Sequence, residues 1–444
     1  MRVDILNLEW TSFSSRDRDS STLVCNYLRY QGLTVIEGSV FNGYYLIRKY
    51  KPRAIFMSNT TGSSLNQKVS RYAKKHGSLV FTTISEGNLK EELVDEMVWG
   101  HNKERVAFED LLLLWSKQSA SIVVQHFPIL QKIIKIGGSA GHDKYFIRNV
   151  EGVCTPANKK LVVGVGCWSF EYFMEDSIYQ STYSQEINDF FNDQRNKFDH
   201  ILSEFIRNNP DCHFILKEHP SIILRYLGSG IESCISLPNV SVYKNEIPIE
   251  ECICQSSLWI SYDSTTGLEA WLLEKQSCLL NPEKAKWPIP RDQLHSGQPI
   301  FGCLEELEAA LQRIKQNKQI HGFQELSNQR KEIINGVIEW ADGLNHVRIG
   351  NALIEILSTK MAFKPIDPKL AVPGLWDICK QRIRWKLVQY FSSYFTEKAQ
   401  ESVRVTMWSQ KQLDALASDR MRQQLDYYEK MGLGIEELKD IRAI

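Results

Sequence analysis

No charge of one sign prevails in this chain of 444 residues: Lys plus Arg and Asp plus Glu number 53 each, so the formal net charge is zero. That balance gives no electrostatic footprint for nucleic acid, and no long run of like charge marks a disordered tail. Long hydrophobic runs are missing too. None reaches the ~18 residues of a membrane-crossing helix, and "LLLLW" at 111–115 is short, with charges on both sides. The N-terminus, MRVDILNLEW, lacks the charged lead and apolar stretch of a signal peptide and reads as a first strand. Among ten cysteines there is no C-x-x-C pair; the nearest two, Cys252 and Cys254, make C-x-C. Metal-site spacing is therefore absent, and reduced, mostly buried thiols in a cytoplasmic protein are expected. No internal repeat or low-complexity tract is present.

What is present is a rhythm. Short apolar, β-branched runs at 2–9, 33–38, 53–59 and 78–85 predict strands, and the amphipathic stretches 19–31, 41–51 and 64–77 predict helices. Gly32 and Gly77 sit where helix C-caps belong. A long helix is expected around 103–117 and a fifth strand at 121–127. Strands that are apolar on both sides, alternating with helices, belong to a parallel sheet covered on both faces. Residues 1–150 therefore read as one Rossmann-like domain. The polar, proline-containing stretch 151–160 reads as a linker, after which the rhythm restarts. Strands are expected at 160–166, 212–218, 241–243, 257–262 and 276–281, with helices at 185–208, 247–255 and 266–275. Residues 160–320 thus form a second Rossmann-like domain. Helices at 321–365 return to the domain junction, and 366–444 form a helical extension, membrane- or partner-facing. The expected class is α/β, two Rossmann-like domains facing across a cleft, with ligands beyond the carboxyl ends of the strands.

Three strand-end loops carry chemistry. Ser85-Glu86-Gly87-Asn88 follows the fourth strand; a carboxylate there can accept the proton of an attacking hydroxyl, and Gly87 permits a tight turn or a positive φ. The plain alternative is a helix N-cap and turn. Lys217-Glu218-His219-Pro220 ends a later strand. Proline fixes the backbone and aims His219 past the sheet edge, where an imidazolium can bond a phosphate and neutralise a leaving group; Lys217 adds charge. A surface histidine is the alternative. Asp263-Ser264-Thr265-Thr266-Gly267-Leu268-Glu269 places hydroxyls at a strand end and helix start, an anion site, with Glu269 able to bond the two hydroxyls of a ribose. A capped helix without ligand is the alternative. Taken together, the loops point to a nucleotide with one or two phosphates, held by the second domain.

These motifs resemble those of bacterial GT-B-fold glycosyltransferases that use CMP-sugars: sialyltransferases, polysialyltransferases and Kdo transferases of capsule and lipopolysaccharide synthesis. Such families carry an acidic-Gly motif, a His-Pro motif and a later Ser-Ser/Thr motif, matched here by Glu86-Gly87, His219-Pro220 and Ser264-Thr265. "DSTTGLEA" at 263–270, "WGHNK" at 99–103 and "GGSAGHDKY" at 137–145 also look like the capsule-type proteins. The resemblance implies that Glu86 is the base, that His219 contacts the CMP phosphate and that Ser264 and Thr265 bind it. The donor would be a CMP-activated Kdo, sialic acid or related nonulosonic acid, the acceptor a glycan or glycolipid. CDP-polyol and UDP-sugar transferases, an epimerase acting on a UDP-sugar, and a non-catalytic scaffold of a glycan assembly are the competing readings.

No cofactor or metal is expected. "DRD" at 17–19 fits the letters of an Asp-x-Asp motif but lies near the start of the first helix, not in a suitable loop. Arg16 and Arg18, just after the first strand, are placed on the acceptor side together with Gly87 and Asn88. At 375–395, Lys380, Arg382, Arg384 and Lys386 interleave with Trp376, Ile378, Ile383, Trp385, Leu387, Tyr390 and Phe391. A basic amphipathic helix with aromatics suits an anionic membrane surface; packing on the body of the protein, or an oligomer contact, is the alternative. The last pattern, 409–430, is strongly polar and reads as a solvated or partner-facing helix.

Overall fold

The computed structural model describes residues 3–9, 16–84, 86–147, 160–167, 184–218, 231–243, 247–262, 264–289, 293–359, 372–391 and 410–444. Among them, twelve strands form two six-stranded sheets in which every pairing is parallel. The first contains β1 (Ile5–Glu9), β2 (Val35–Ser39), β3 (Ala54–Met57), β4 (Leu79–Thr83), β5 (Leu111–Leu114) and β6 (Ile134–Ile136), in the order 2-1-3-4-5-6. The second contains β7 (Val162–Gly166), β8 (His213–Lys217), β9 (Val240–Tyr243), β10 (Leu258–Ser261), β11 (Gln276–Leu280) and β12 (Ile300–Phe301), in the order 12-11-10-7-8-9. The α/β class expected from the sequence is what is found.

The chain divides into two units, one of Met1–Arg148 with Asn335–Ile444 and one of Asn149–Ile334. In the first, strand alternation sends Ile5, Phe56, Phe81, Leu111 and Leu113 to one face, where they pack with Val24, Leu28, Ile349 and Leu353 of the helices Arg16–Tyr30 and Asn345–Ser358. Leu6, Leu8, Ile55, Met57 and Val80 go to the other face, against Ile47, Val69 and Tyr72 of the helices Gly43–Tyr50 and Ser64–Lys75. In the second unit, Val162, Ile215 and Trp259 pack with Cys252, Ile253 and Ala270.

Two neighbouring assignments exchange places. The four leucines of "LLLLW", expected inside a helix, form β5, and the expected strand at 121–127 lies, as far as His126, in the helix Lys117–His126. A four-residue apolar run has no readable period. The deciding signal is Ser116, whose hydroxyl accepts from the Ser119 amide while the Ser119 hydroxyl accepts from the Ser116 amide, closing a capping box.

The last segment is not a solvated appendage of the first unit. The helix Gln410–Lys430 lies on Arg16–Tyr30: Gln424 Nε2 donates to the Leu23 carbonyl at 2.9 Å, and the Ala417 carbonyl accepts from Asn26 at 2.8 Å. Its polarity supplies buried hydrogen bonds, so it has no broad apolar stripe for sequence reading to find. Tyr428 reaches a fully buried network in which its hydroxyl lies 2.5 Å from His346 Nε2, and His346 Nδ1 lies 2.8 Å from Asp143 Oδ2. Asp143 also accepts from the His346 amide and the Asn345 side chain, capping the helix Asn345–Ser358. Thus "GGSAGHDKY" is a socket for that helix. Gly138 has φ +78° there, and a Cβ would sit 2.0 Å from Asn345 Oδ1.

Nine of the ten cysteines lie among the described residues, all free and seven of them buried. No described helix is long and apolar enough to cross a membrane.

Candidate functional site

A doubly wound sheet opens a crevice where successive connections leave in opposite directions, outside the carboxyl ends of the strands. In the second unit this point falls between β7 and β10. There the ladder aligns Ser261, Gly166, Lys217 and Tyr243, the last residues of β10, β7, β8 and β9, in one row. The loops containing Ser264 and His219 therefore leave the sheet from strands two apart, about 10 Å at their bases.

The glycines of "VVGVG" admit close neighbours at that point. A Cβ on Gly166 would lie 2.6 Å from Thr266 Oγ1, and one on Gly164 would lie 2.3 Å from the Trp259 ring. Their absence lets Trp259 lie across β7, where its Nε1 donates to Thr266 Oγ1 at 3.0 Å. Ser264 Oγ accepts from the Thr266 amide at 3.2 Å. Thr265 is the half-buried N-cap and makes no side-chain capping bond. The helix that follows is Thr266–Leu272, only seven residues and shorter than the expected 266–275. Anion-holding capacity thus rests on the loop's hydroxyls and amides rather than on a long helix dipole. Gly267 is buried, where a Cβ would lie 3.2 Å from the Gln298 side-chain amide nitrogen, and Glu269 is buried in the first turn.

Lys217 is 8 % exposed, and its Nζ donates to the Ile247 carbonyl at 2.7 Å. This holds its charge within the strand-end row. Cys167, next to Gly166, is not a nucleophile of this site, because burial pushes its thiol well above the usual range. His219, Pro220 and Asp263 lie outside the described residues.

Glu86 belongs to the first unit and follows β4, with its side chain exposed. Its loop is seated on Trp115, whose Nε1 donates to the Ile84 carbonyl at 2.9 Å. Gly87 is buried, and a Cβ there would fall 2.0 Å from the Trp115 ring. Close approach explains this glycine; of the two conformations expected of it, a tight turn or a positive φ, the second is not adopted. We predict that Gly87→Ala lowers stability by about 1–3 kcal/mol through overpacking, read as a lower urea midpoint at unchanged m-value. An unaltered midpoint would mean that Trp115 moves aside freely. Asn88 is half-buried beside this loop.

Of the two arginines, Arg18 differs from expectation. Arg16 opens the helix Arg16–Tyr30, but its side chain is not among those described. Arg18 is 1 % exposed, with Nη1 3.6 Å from Glu37 Oε2. A guanidinium taken out of water needs a carboxylate partner, and this one has no surface left for an acceptor.

Sequence reading passed over Glu9. It ends β1, at the switch point of the first sheet between β1 and β3, and is 3 % exposed. Its Oε1 accepts from the Ser58 amide at 2.5 Å, and its Oε2 lies 2.6 Å from Ser58 Oγ. Thr83 Oγ1 donates to the Ser58 carbonyl, joining the ends of β3 and β4. Burial first, then the Asp17 charge, pushes the Glu9 carboxyl up to about 8. The only available signal was a lone Glu closing an apolar strand. Glu109, which accepts from Thr60 Oγ1 at 2.7 Å, is likewise raised by burial. Among the described residues no group of three or more His, Cys, Asp or Glu is placed to hold a metal ion.

Residues 180–280 match the family model "Capsule polysaccharide biosynthesis protein", a span that includes both Lys217-Glu218-His219-Pro220 and the 263–269 loop. No curated protein matches the chain. Among solved structures it is similar to the wall teichoic acid polymerase TagF, in a variant soaked with CDPG. The TM-score is 0.51 at 14% identity, covering 81% of this chain and 90% of that one. It is also similar to S. aureus MnaA in a co-structure with UDP, with a TM-score of 0.50 at 13% identity, covering 84% and 100% of the two chains. A UDP-N-acetylglucosamine 2-epimerase gives 0.50 at 10% identity, covering 83% and 100%. These likenesses show the fold, two Rossmann-like units of the kind found in GT-B proteins.

Proposed function

We propose that this chain is a glycosyltransferase of bacterial surface-polysaccharide synthesis. It transfers an acidic sugar, Kdo, sialic acid or a related nonulosonic acid, from a CMP-activated donor to a glycan or glycolipid acceptor. The observation that carries this reading is the row Ser261, Gly166, Lys217 at the switch point of the second sheet, from which both phosphate-binding motifs depart. The family-model match spanning both motifs supports it.

In this reading the donor phosphate sits between the two loops. Ser264, Thr265, Thr266 and the amides leading to Gly267 bond its oxygens, with Asp263 at the loop's start. His219, fixed by Pro220, and Lys217 offset the charge that develops as the sugar–phosphate bond breaks and CMP leaves. Glu269 bonds the ribose. Glu86 takes the proton of the acceptor hydroxyl as its oxygen bonds the anomeric carbon. No divalent metal takes part, so EDTA leaves the rate unchanged. The enzyme works in the cytoplasm, at the inner face of the membrane, with peripheral contact through 375–395.

Thermal unfolding with CMP, CDP, UDP or GDP, each with and without Mg²⁺, tests the reading. CMP at a hundred times its Kd is expected to add about 2.7 kcal/mol to stability, with or without Mg²⁺. A preference for CDP or UDP would shift the donor to a CDP-polyol or UDP-sugar, and no response to any nucleotide would point to a scaffold.

A further inference from the structure

The helix Leu375–Phe391 carries apolar side chains on two opposite faces. At about 100° per residue, Ile378 and Trp385 share one face, 9 % and 8 % exposed. That face is docked on the first unit. Trp385 stacks on Phe41 with ring centres 6.4 Å apart and planes 6° apart. Gln381 Oε1 accepts from the Tyr44 amide at 3.3 Å, and Arg382 donates to Asn42 Oδ1 at 2.9 Å while covering the Tyr45 ring at 3.8 Å. These contacts fix the helix's rotation about its own axis.

On the opposite face Trp376, Ile383 and Leu387 recur at i, i+7 and i+11 and are 75 %, 56 % and 50 % exposed. Exposed Lys380 and Arg384 flank this stripe on one side and exposed Lys386 on the other; between 375 and 387 the only acidic residue is Asp377. The helix Gly43–Tyr50, against which the inner face packs, adds exposed Arg48 and Lys49, followed by exposed Lys51. A protein partner accounts for an apolar stripe alone. A fixed stripe headed by tryptophan and bordered by cations matches the boundary of a bilayer, where an indole sits at headgroup level and anionic lipids meet the cations.

We infer that the outer face of Leu375–Phe391 binds an anionic lipid bilayer, with Trp376, Ile383 and Leu387 inserted among the headgroups and Lys380, Arg384 and Lys386 on lipid phosphates. This deepens the transferase reading by naming the surface and the lipid charge that bring the enzyme to a glycolipid acceptor. Vesicle binding needs no turnover, so either idea can fail alone.

The test is cosedimentation of the full chain with vesicles of phosphatidylcholine, alone or mixed with phosphatidylglycerol. Binding is expected to the mixed vesicles only and to weaken as salt rises. Trp376→Ser, Ile383→Ser and Leu387→Ser combined abolish it. Lys380→Gln, Arg384→Gln and Lys386→Gln combined lower the partition coefficient on the order of a hundredfold, roughly fivefold for each cation. All six side chains are exposed, so the thermal midpoint stays at the parent value. Absence of binding at low salt, or parent-like binding by both variants, overturns the proposal. So does a dimer in solution that the serine variant converts to monomer, which would make this face an interface between copies.

Discussion

Replacing Glu86 by Gln is expected to lower the rate of sugar transfer by about 10²–10⁴-fold, the usual contribution of a positioned general base. Gln keeps the shape of the side chain, and Glu86 is exposed while the adjacent Gly87 is seated on Trp115. Folding, and the CMP-induced thermal shift that the proposed function expects, should therefore match the parent. The loss should fall on kcat, with donor KM kept, because in the proposed mechanism the carboxylate acts on the acceptor hydroxyl as the bond forms. A Gln variant within a few-fold of the parent rate would remove Glu86 from the mechanism. A variant that loses nucleotide binding as well would give Glu86 a different role, one in holding the donor.

The second expected result concerns stability rather than rate. Glu9 titrates near 8 in the folded protein, up from 4.5, because burial disfavours its charge and Asp17 adds repulsion. The folded state therefore keeps a proton that the unfolded chain has released. The contribution is complete below pH 4.5, declines as pH rises through the window from 4.5 to 8, and is gone above 8. The decline is about 1.4 kcal/mol per pH unit. Asp143 and Glu109, both raised by burial, act in the same direction. Glu9→Gln carries a permanent stand-in for the protonated acid: its carbonyl accepts from the Ser58 amide and its NH₂ donates to Ser58 Oγ. It should match the parent near pH 5 and exceed it by several kcal/mol above pH 8, a difference built from the same 1.4 kcal/mol per unit. Urea unfolding at a series of pH values reads this directly. Parallel curves for the two proteins would show that Glu9 is ionised throughout.

Much of the architecture was legible because parallel strands buried on both faces are continuous apolar runs, as in "ILNLE", "AIFM" and "LWIS". The helix Gln185–Asn208 matches its expected ends, since its amphipathic pattern is long and starts beside Ser184 as N-cap. Legibility failed where runs were short. β6 and β12, three and two residues long, carry no pattern of their own and exist because a neighbouring strand offers its edge. Of the candidate site, the strand-end positions of Lys217 and Ser264 could be read, because Pro and hydroxyl clusters mark where strands stop. The reasons behind its glycines could not. Gly166 and Gly87 answer to Thr266 and Trp115, partners distant in sequence. Arg18 failed for a similar cause, since Glu37 lies on β2 and no local pattern announces a buried ion pair.

The discontinuous first unit has a consequence for biosynthesis. Residues Asn149–Ile334 are contiguous and can fold as they leave the ribosome. The first sheet emerges earlier yet must wait. The helix Asn345–Ser358 supplies, beside Arg16–Tyr30, part of the cover over Ile5, Phe56 and Phe81, and the edge strand β6 exchanges backbone hydrogen bonds, through Ile136, with Ile444. Until those residues are translated, an apolar sheet face stays only partly covered. Nascent chains arrested between residues 334 and 345 should therefore hold a protease-resistant second unit and a first unit that chaperones still bind, an order of maturation opposite to the order of synthesis.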